Sequence, residues 1–452
     1  MVALQTVCVR KLGQQRSGEV RFGRWLRNGR VSVKALVQGV CGGISKRVAG
    51  RHVLLLEDTS EINYQAHAGR VQGLGTVGNG KDVGLFLHPV LAIDAQDYTC
   101  LGLAHLHLWL RTRKKAPGDR KLPIEDKESG RWIEAARCGL QRTARAGMAT
   151  VIADREADIY EMFDRLPDTA NADQASTHLL IRACSNRSLA CPEEPPGSAA
   201  QTLFEWLCSL PEQDRYEVDL PASQSHCNDK GKSWRSAHRA QLVVRFARTQ
   251  IRRPQWADRS AAGSIGLWAI EVCEDPSTVR SQEKPVHWRL LTTHDIASKE
   301  QARQCIDWYR QRWHIEQMFR TLKRQGLDVE SSQLEQAGRL QKLVVLAASA
   351  AVHTLQLTLA REGHNTRPAS DCFDEQEQAL LGDVNPTLEG KTQKQKNPHT
   401  PASLAWAAWI VARLGGWKGY ASERKPGPIT MLGGLQALAQ IHRGWTLARG
   451  IG

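Results

Sequence analysis

An α/β fold is predicted by three observations. Two short apolar runs, His52 to Glu57 and Met148 to Ala153, have the length and composition of buried strands, and each leads into an aspartate, Asp58 or Asp154. Between and after them, strand-like and helix-like segments alternate. The 452 residues, 41% hydrophobic and 24% charged, describe a folded chain too long for one simple core and so built as two or three lobes.

The elements follow in order. Glu19 to Leu26 reads as a helix stopped by Asn28-Gly29, and Ser32 can cap a second short helix through Val37. Arg21, Arg24, Arg27 and Arg30 give the first a cationic edge suited to phosphates. After the His52 to Glu57 strand, a Gly-rich passage from Gly69 to Gly80 lacks the Lys-Ser/Thr of a phosphate loop and is expected to be a hairpin connection. Val83 to Ile93 and Tyr98 to Leu110 are two further strands, making an antiparallel meander. A basic loop, Arg111 to Lys121, precedes a helix over Glu128 to Ala146. Met148 to Ala153 is the fourth strand, and acids in Arg155 to Tyr160 suit the first turn of a helix, with Asp158 expected to be a helix-start acid. From about 176 to 292, strand-like runs are separated by Pro- and charge-rich turns, which suggests an inserted β subdomain. A helix from Ser298 and a single helix over Cys305 to Leu327, stopped at Gly326, are next. Leu343 to Ala360 is apolar enough to span a bilayer, but Ser349, His353, Thr354, Gln356 and Thr358 favour a buried helix. Pro368 to Thr400 reads as a polar linker, and Ala402 to Leu414 and Ile429 to Leu447 as closing helices.

Composition narrows the function. A net charge of +14 implies a polyanionic partner, most simply nucleic acid. Eleven cysteines, an odd number without any C-x-x-C pair, argue against zinc and for reduced, mostly buried thiols in a cytoplasmic protein. No basic segment followed by an apolar one opens the chain, so no signal peptide is expected, and no membrane association.

Three strands, helix, strand, helix, insertion, helix is the order of a ribonuclease-H-like core. In that topology Asp58 and Asp154 would end neighbouring strands, and Glu316 would arrive from a packed helix. Three such carboxylates can hold two divalent cations, and hard oxygen ligands select Mg²⁺ or Mn²⁺. On a continuous helix, Tyr309, Arg312, Glu316 and Lys323 would fall within a stripe roughly 60° wide, beside an apolar seam of Trp308, Ile315, Phe319 and Leu322.

The spacing Y-x2-R-x3-E-x6-K, with D-R-E-A-D at Asp154 to Asp158 and E-D-T-S at Glu57 to Ser60, resembles the DDE transposases of bacterial insertion sequences, in the insertion-sequence-four family. The likeness runs from about Val20 to the C-terminus and includes the long insertion between the second and third acids. Matched residue by residue, it implies that Asp58, Asp154 and Glu316 are catalytic and bind Mg²⁺ (or Mn²⁺), and that Tyr309, Arg312 and Lys323 contact DNA phosphates. Trp288 matches an aromatic that packs against a flipped base, Trp313 lies near it, and Arg182 is a further phosphate contact. The resemblance also implies double-stranded DNA as partner, cut-and-paste chemistry through a hairpin intermediate, a homodimer on DNA and a nucleoid-associated, cytoplasmic location.

The segments expected are a basic helical N-terminal region (1–45), a catalytic core (46–175 and 286–365), an inserted β-rich subdomain (176–285) and a helical C-terminal dimerisation region (366–452). Family members carry more helical sequence ahead of the part matching Glu19 to Gly39. The N-terminal region is therefore expected to be a truncated DNA-binding domain, and the alternative function is a non-catalytic remnant that inhibits transposition by forming mixed multimers.

Overall fold

The computed structural model describes residues 1–78, 80–111, 122–167, 176–190, 201–226, 232–281, 283–323, 326–363, 367–420 and 423–449. The basic loop expected after Arg111 lies outside them. Helices α1 (Val9–Gly13), α2 (Arg16–Arg27), α3 (Val33–Val40) and α4 (Ile44–Arg47) come first. Strands β1 (His52–Glu57), β2 (Ser60–Asn63), β3 (Gly75–Val77), β4 (Asp82–Asp94) and β5 (Cys100–Trp109) follow. Next are α5 (Gly130–Arg142), β6 (Met148–Ala153), α6 (Tyr160–Arg165), β7 (Ser176–Arg182) and α7 (Leu203–Ser209). Strands β8 (Asp214–Leu220), β9 (Ser223–His226), β10 (Lys232–Arg235), β11 (His238–Arg252), β12 (Ser264–Glu274) and β13 (His287–Thr292) lead to the last helices. These are α8 (Lys299–Arg310), α9 (Trp313–Leu322), α10 (Ala337–Ala360), α11 (Glu375–Leu388), α12 (Leu404–Leu414) and α13 (Pro428–Ala448).

The chain divides into two compact units. The first comprises Met1–Lys115, Cys138–Gly147 and Gln311–Gly452, the second Ala116–Arg137 and Met148–Arg310. This division by contacts cuts the chain at other places than the segments read from composition.

In the first unit β4 is the hub, pairing antiparallel with β1, β2, β3 and β5. The expected meander is present, and the Gly-rich passage supplies β3 and its hairpin to β4. Gly84 faces both Asn63 of β2 and Gly75 of β3, and a Cβ there would stand 2.3 Å from the Ile62 carbonyl oxygen, so only glycine permits so close an approach. Ser32 caps α3 through the Ala35 N–H (3.1 Å). The long apolar helix α10 is a core helix: 72% of its most apolar window is buried within the chain. Its polar residues turn inward on themselves, Thr354 and Thr358 donating to the carbonyls of Ala350 (3.1 Å) and Thr354 (2.8 Å). Lys342, buried on the same helix, donates to the carbonyls of Leu26 and Asn28 (3.0 and 2.9 Å) and so caps the C-terminus of α2.

The polar linker expected over 368–400 contains α11, nucleated by a capping box in which Asp374 and Glu377 bond each other's backbone N–H. Helix α12, expected to offer dimer contacts, is buried almost all round, among Phe373, Leu380, Leu381, Met431 and Leu435. Among the described residues of this region, the large hydrophobic side chains left exposed are Tyr420 and, on α13, Ile429, Ile441 and Leu447.

In the second unit the sheet runs β6-β7-β13-β12-β11-β8, with β6 and β7 parallel and every other pair antiparallel. The inserted strands β8, β11 and β12 therefore do not form a sheet of their own: they extend the one to which β7 and β13 belong. Their edges pair in register from Leu290↔Arg182 through Val272↔Trp288 to Leu242↔Tyr216. The β9–β10 hairpin stands apart from that sheet.

The helix expected over Cys305 to Leu327 is two helices. Helix α8 ends at Arg310, Gln311 and Arg312 form a turn, and α9 starts at Trp313. Across the turn, His314 N–H and Ile315 N–H bond the carbonyls of Gln311 (2.9 Å) and Arg312 (3.1 Å), three residues back rather than four. Neither Gly nor Pro marks the break. Helix α9 stops at Leu322, ahead of Gly326, whose Cβ would meet the Thr321 carbonyl at 2.1 Å.

Nine described cysteines are free. Cys41, Cys100 and Cys305 are buried, but Cys8, Cys184 and Cys208 are exposed, so the thiols are not mostly buried as expected.

Candidate active site

Each unit carries one strand-end aspartate, and the signature residues address both. In the first unit, β1 is buried along its length and delivers Asp58 at its C-terminal end. The Asp58 carboxylate is held at both oxygens. Oδ1 accepts from the Thr59 N–H (2.7 Å), and Oδ2 accepts from Arg312 Nη1 (3.0 Å). Arg312 Nη2 donates to Glu316 Oε1 (2.8 Å), one turn along α9. One planar guanidinium thus bridges two carboxylates, a use of the arginine fork that lysine cannot reproduce. All three side chains are largely buried but reach solvent.

In the second unit, β6 delivers Asp154 at its own end. Asp154 caps the 3-10 turn Arg155–Ala157, its Oδ1 accepting from the Arg155 N–H (2.8 Å). The same oxygen accepts from the Tyr309 hydroxyl (3.2 Å), and Arg182 Nη1 lies 3.6 Å away. Arg182 is steadied by the His287 carbonyl (3.3 Å). Trp288 packs edge-on against Tyr309, ring centroids 5.5 Å apart at 64°. The aromatic expected against a flipped base thus also braces the tyrosine that bonds the acid.

Other expected residues stand apart. Lys323 ends α9 in extended backbone, 4.0 Å from Glu330, which also accepts from the Asn63 N–H (2.9 Å). Trp313 is 49% exposed, with the Arg320 guanidinium over its ring at 5.9 Å. The broken helix removes the continuous stripe expected from Tyr309 to Lys323, and the boundary between the units falls inside the signature, between Arg310 and Gln311.

Asp158 is not a helix-start acid. Its buried carboxylate accepts from the backbone N–H groups of Cys184 (2.9 Å) and Ser185 (2.8 Å) and from Arg187 Nε (3.1 Å) and Nη2 (2.5 Å). It pins the chain after β7. Sequence reasoning also passed over Glu57 and His88, both wholly buried beside Asp58 and Thr59. The available signal was a polar residue inside each of two apolar strand runs.

Among the described residues, no group of three or more His, Cys, Asp or Glu side chains is arranged to hold a metal ion. The donor chemistry nonetheless suits a hard divalent cation: the candidate ligands are carboxylates, and Asp58 and Glu316 already share one cationic group.

Residues 204–352 match the family model described as the Transposase DDE domain. The matched span holds Tyr309, Arg312, Glu316 and Lys323 and begins after Asp58 and Asp154. The match supports a DDE transposase, and with it DNA transposition and recombination as the process served.

Proposed function

We propose that this chain is a cut-and-paste DNA transposase of the insertion-sequence-four family, in the group with the Y-R-E-K signature and similar to the transposon-five transposase. The observation that carries this is the bonding of the signature itself: the Tyr309 hydroxyl donates to Asp154, and Arg312 bridges Asp58 and Glu316. Structural arginines and tyrosines bond acids in many proteins. Here the bonded acids are the three that the resemblance marks as catalytic.

In this reading Asp58, Asp154 and Glu316 hold Mg²⁺ or Mn²⁺ within a ribonuclease-H-like core. Such ions, when bound, supply an activated water or 3′-hydroxyl and neutralise charge on the cleaved phosphodiester. The chain's own groups bind and orient the DNA. Arg312 offers a fork that suits phosphate as it suits carboxylate, and Lys323 and Arg182 offer further cations. Trp288 and Trp313 offer ring faces on which a displaced base can stack. The strands between the second and third acids correspond to the family's inserted region. The exposed arginine edge of α2 adds sequence-independent phosphate contacts. The working form is a homodimer on transposon ends in the bacterial cytoplasm, at the nucleoid.

The test incubates purified protein with a transposon-end duplex and Mg²⁺. A 3′ nick followed by a hairpin, both absent in Glu316→Ala, is the expected result. End binding without cleavage by the unaltered protein contradicts it and favours a non-catalytic, inhibitory remnant.

A further inference from the structure

Behind Asp58, in the first unit, lies a buried polar chain that the transposase reading does not use. Glu57, the last residue of β1, and His88, in the middle of β4, are both fully buried. Both lie on the sheet face where α5 packs, since a Cβ on Gly139 would press on Val90, the register partner of Glu57. Glu57 Oε2 stands 3.9 Å from His88 Nε2, and neither Glu57 oxygen has a hydrogen-bond partner. On its other edge the imidazole is bonded: His88 Nδ1 and Thr59 Oγ1 are 2.8 Å apart. Thr59 then donates its backbone N–H to Asp58 Oδ1 (2.7 Å). Carboxyl, imidazole, hydroxyl and backbone amide form one file ending on an acid of the candidate active site.

A buried carboxyl without a hydrogen bond is costly, and such groups are rare in folded proteins. A pair of apolar side chains of like size would fill the same space with no buried polar atoms. What an apolar pair cannot do is direct a hydrogen bond at Thr59. We propose that His88, backed by Glu57, is a positioning residue: it fixes Thr59, and through the Thr59 amide it fixes the rotamer in which Asp58 presents Oδ2. This rests on the reading of Asp58 as a metal-binding acid and adds to it the outer shell that orients that ligand. Outer-shell partners of this kind set both metal affinity and activity.

The test compares the full-length protein with Thr59→Val, His88→Leu and His88→Asn. Two readouts are taken: Mn²⁺ affinity without DNA, from the spectroscopic signal of free Mn²⁺, and single-turnover nicking of an end duplex across a metal titration. Thr59→Val and His88→Leu are expected to weaken Mn²⁺ binding about 10- to 100-fold while end-DNA affinity and the thermal midpoint hold. Excess metal should recover much of their nicking rate. His88→Asn, which keeps a polar atom where Nδ1 stands, should return Mn²⁺ affinity to within about threefold of the unaltered protein. Should His88→Leu fail to fold, Thr59→Val carries the comparison alone. Mn²⁺ affinity unchanged in Thr59→Val overturns the proposal, as does an unaltered protein that takes up no Mn²⁺. An unaltered protein that binds Mn²⁺ through Glu316 but never nicks end DNA overturns the transposase reading alone.

Discussion

Asp58 and Asp154 occupy the same local position, the first residue past a buried strand, yet they are held differently. Asp58 shares a full positive charge with Glu316 through Arg312. Asp154 receives a neutral hydroxyl from Tyr309 and has the Arg182 guanidinium 3.6 Å from it. The first arrangement compensates two acids at once and needs a forked cation; the second orients one acid through a neutral donor. A third acid, Asp158, sharpens the contrast: it is buried, saturated with hydrogen bonds and paired with buried Arg187, so it holds the fold and has no capacity left for a ligand.

Loss of function and loss of fold should therefore separate by residue. The largest effect expected is in Glu316→Ala, where nicking of end DNA falls below detection while the far-ultraviolet spectrum and thermal midpoint hold. Asp158→Asn should act oppositely. It strands the buried Arg187 charge and should cost about 3–5 kcal/mol of stability, read by urea unfolding. Asp154→Asn, by contrast, should leave stability nearly unchanged. Arg312→Lys keeps the charge and loses the fork. Its single-turnover nicking rate should drop about 10²-fold, the size of effect seen when one oriented charge-stabilising group is lost.

Acid should act on the first unit through buried or half-buried histidines, His105, His314 and His353 among them. Burial and the adjacent Arg142 guanidinium lower His105 to about 4, and burial alone lowers His353 to about 4, against an ordinary 6.5. Between those values the unfolded chain binds the protons that the folded chain refuses, so stability is full above about pH 6.5 and falls as pH drops towards 4. Thermal midpoints measured from pH 7.5 to 4.5 should decline across that window, and less steeply in His105→Gln. A midpoint indifferent to pH there would contradict the neutral, partly buried rings. The smallest effect expected is in Tyr309→Phe. It removes one neutral hydrogen bond to Asp154, worth about 1 kcal/mol, and nicking should slow by no more than about tenfold.

The strands that deliver the acids were legible because each is a run of consecutive apolar residues ending in a charge, a local pattern with few alternatives. Helix α3 and its Ser32 cap were legible for the same reason. The break between α8 and α9 was not, because Gln311 and Arg312 are good helix formers. The tight turn there leaves Arg312 bonded to Asp58, a partner 254 residues away, which no local pattern reports. The strands of the insertion were visible, but their membership in the sheet of β7 and β13 is a matter of edge pairing, decided in three dimensions. Helix α11 was missed because its capping box lay inside a stretch read only for polarity. Glu57 and His88 are not legible as a pair, because only the pairing of β1 with β4 brings them together.

The account turns on whether Asp58, Asp154 and Glu316 grip common cations. The most direct measurement is a crystal of the protein soaked in Mn²⁺, with the ions located by their anomalous scattering. Mn²⁺ bound by the carboxylates of all three residues is the result predicted. Mn²⁺ bound elsewhere, or carboxylates that keep their arginine and tyrosine partners at saturating Mn²⁺, would contradict it.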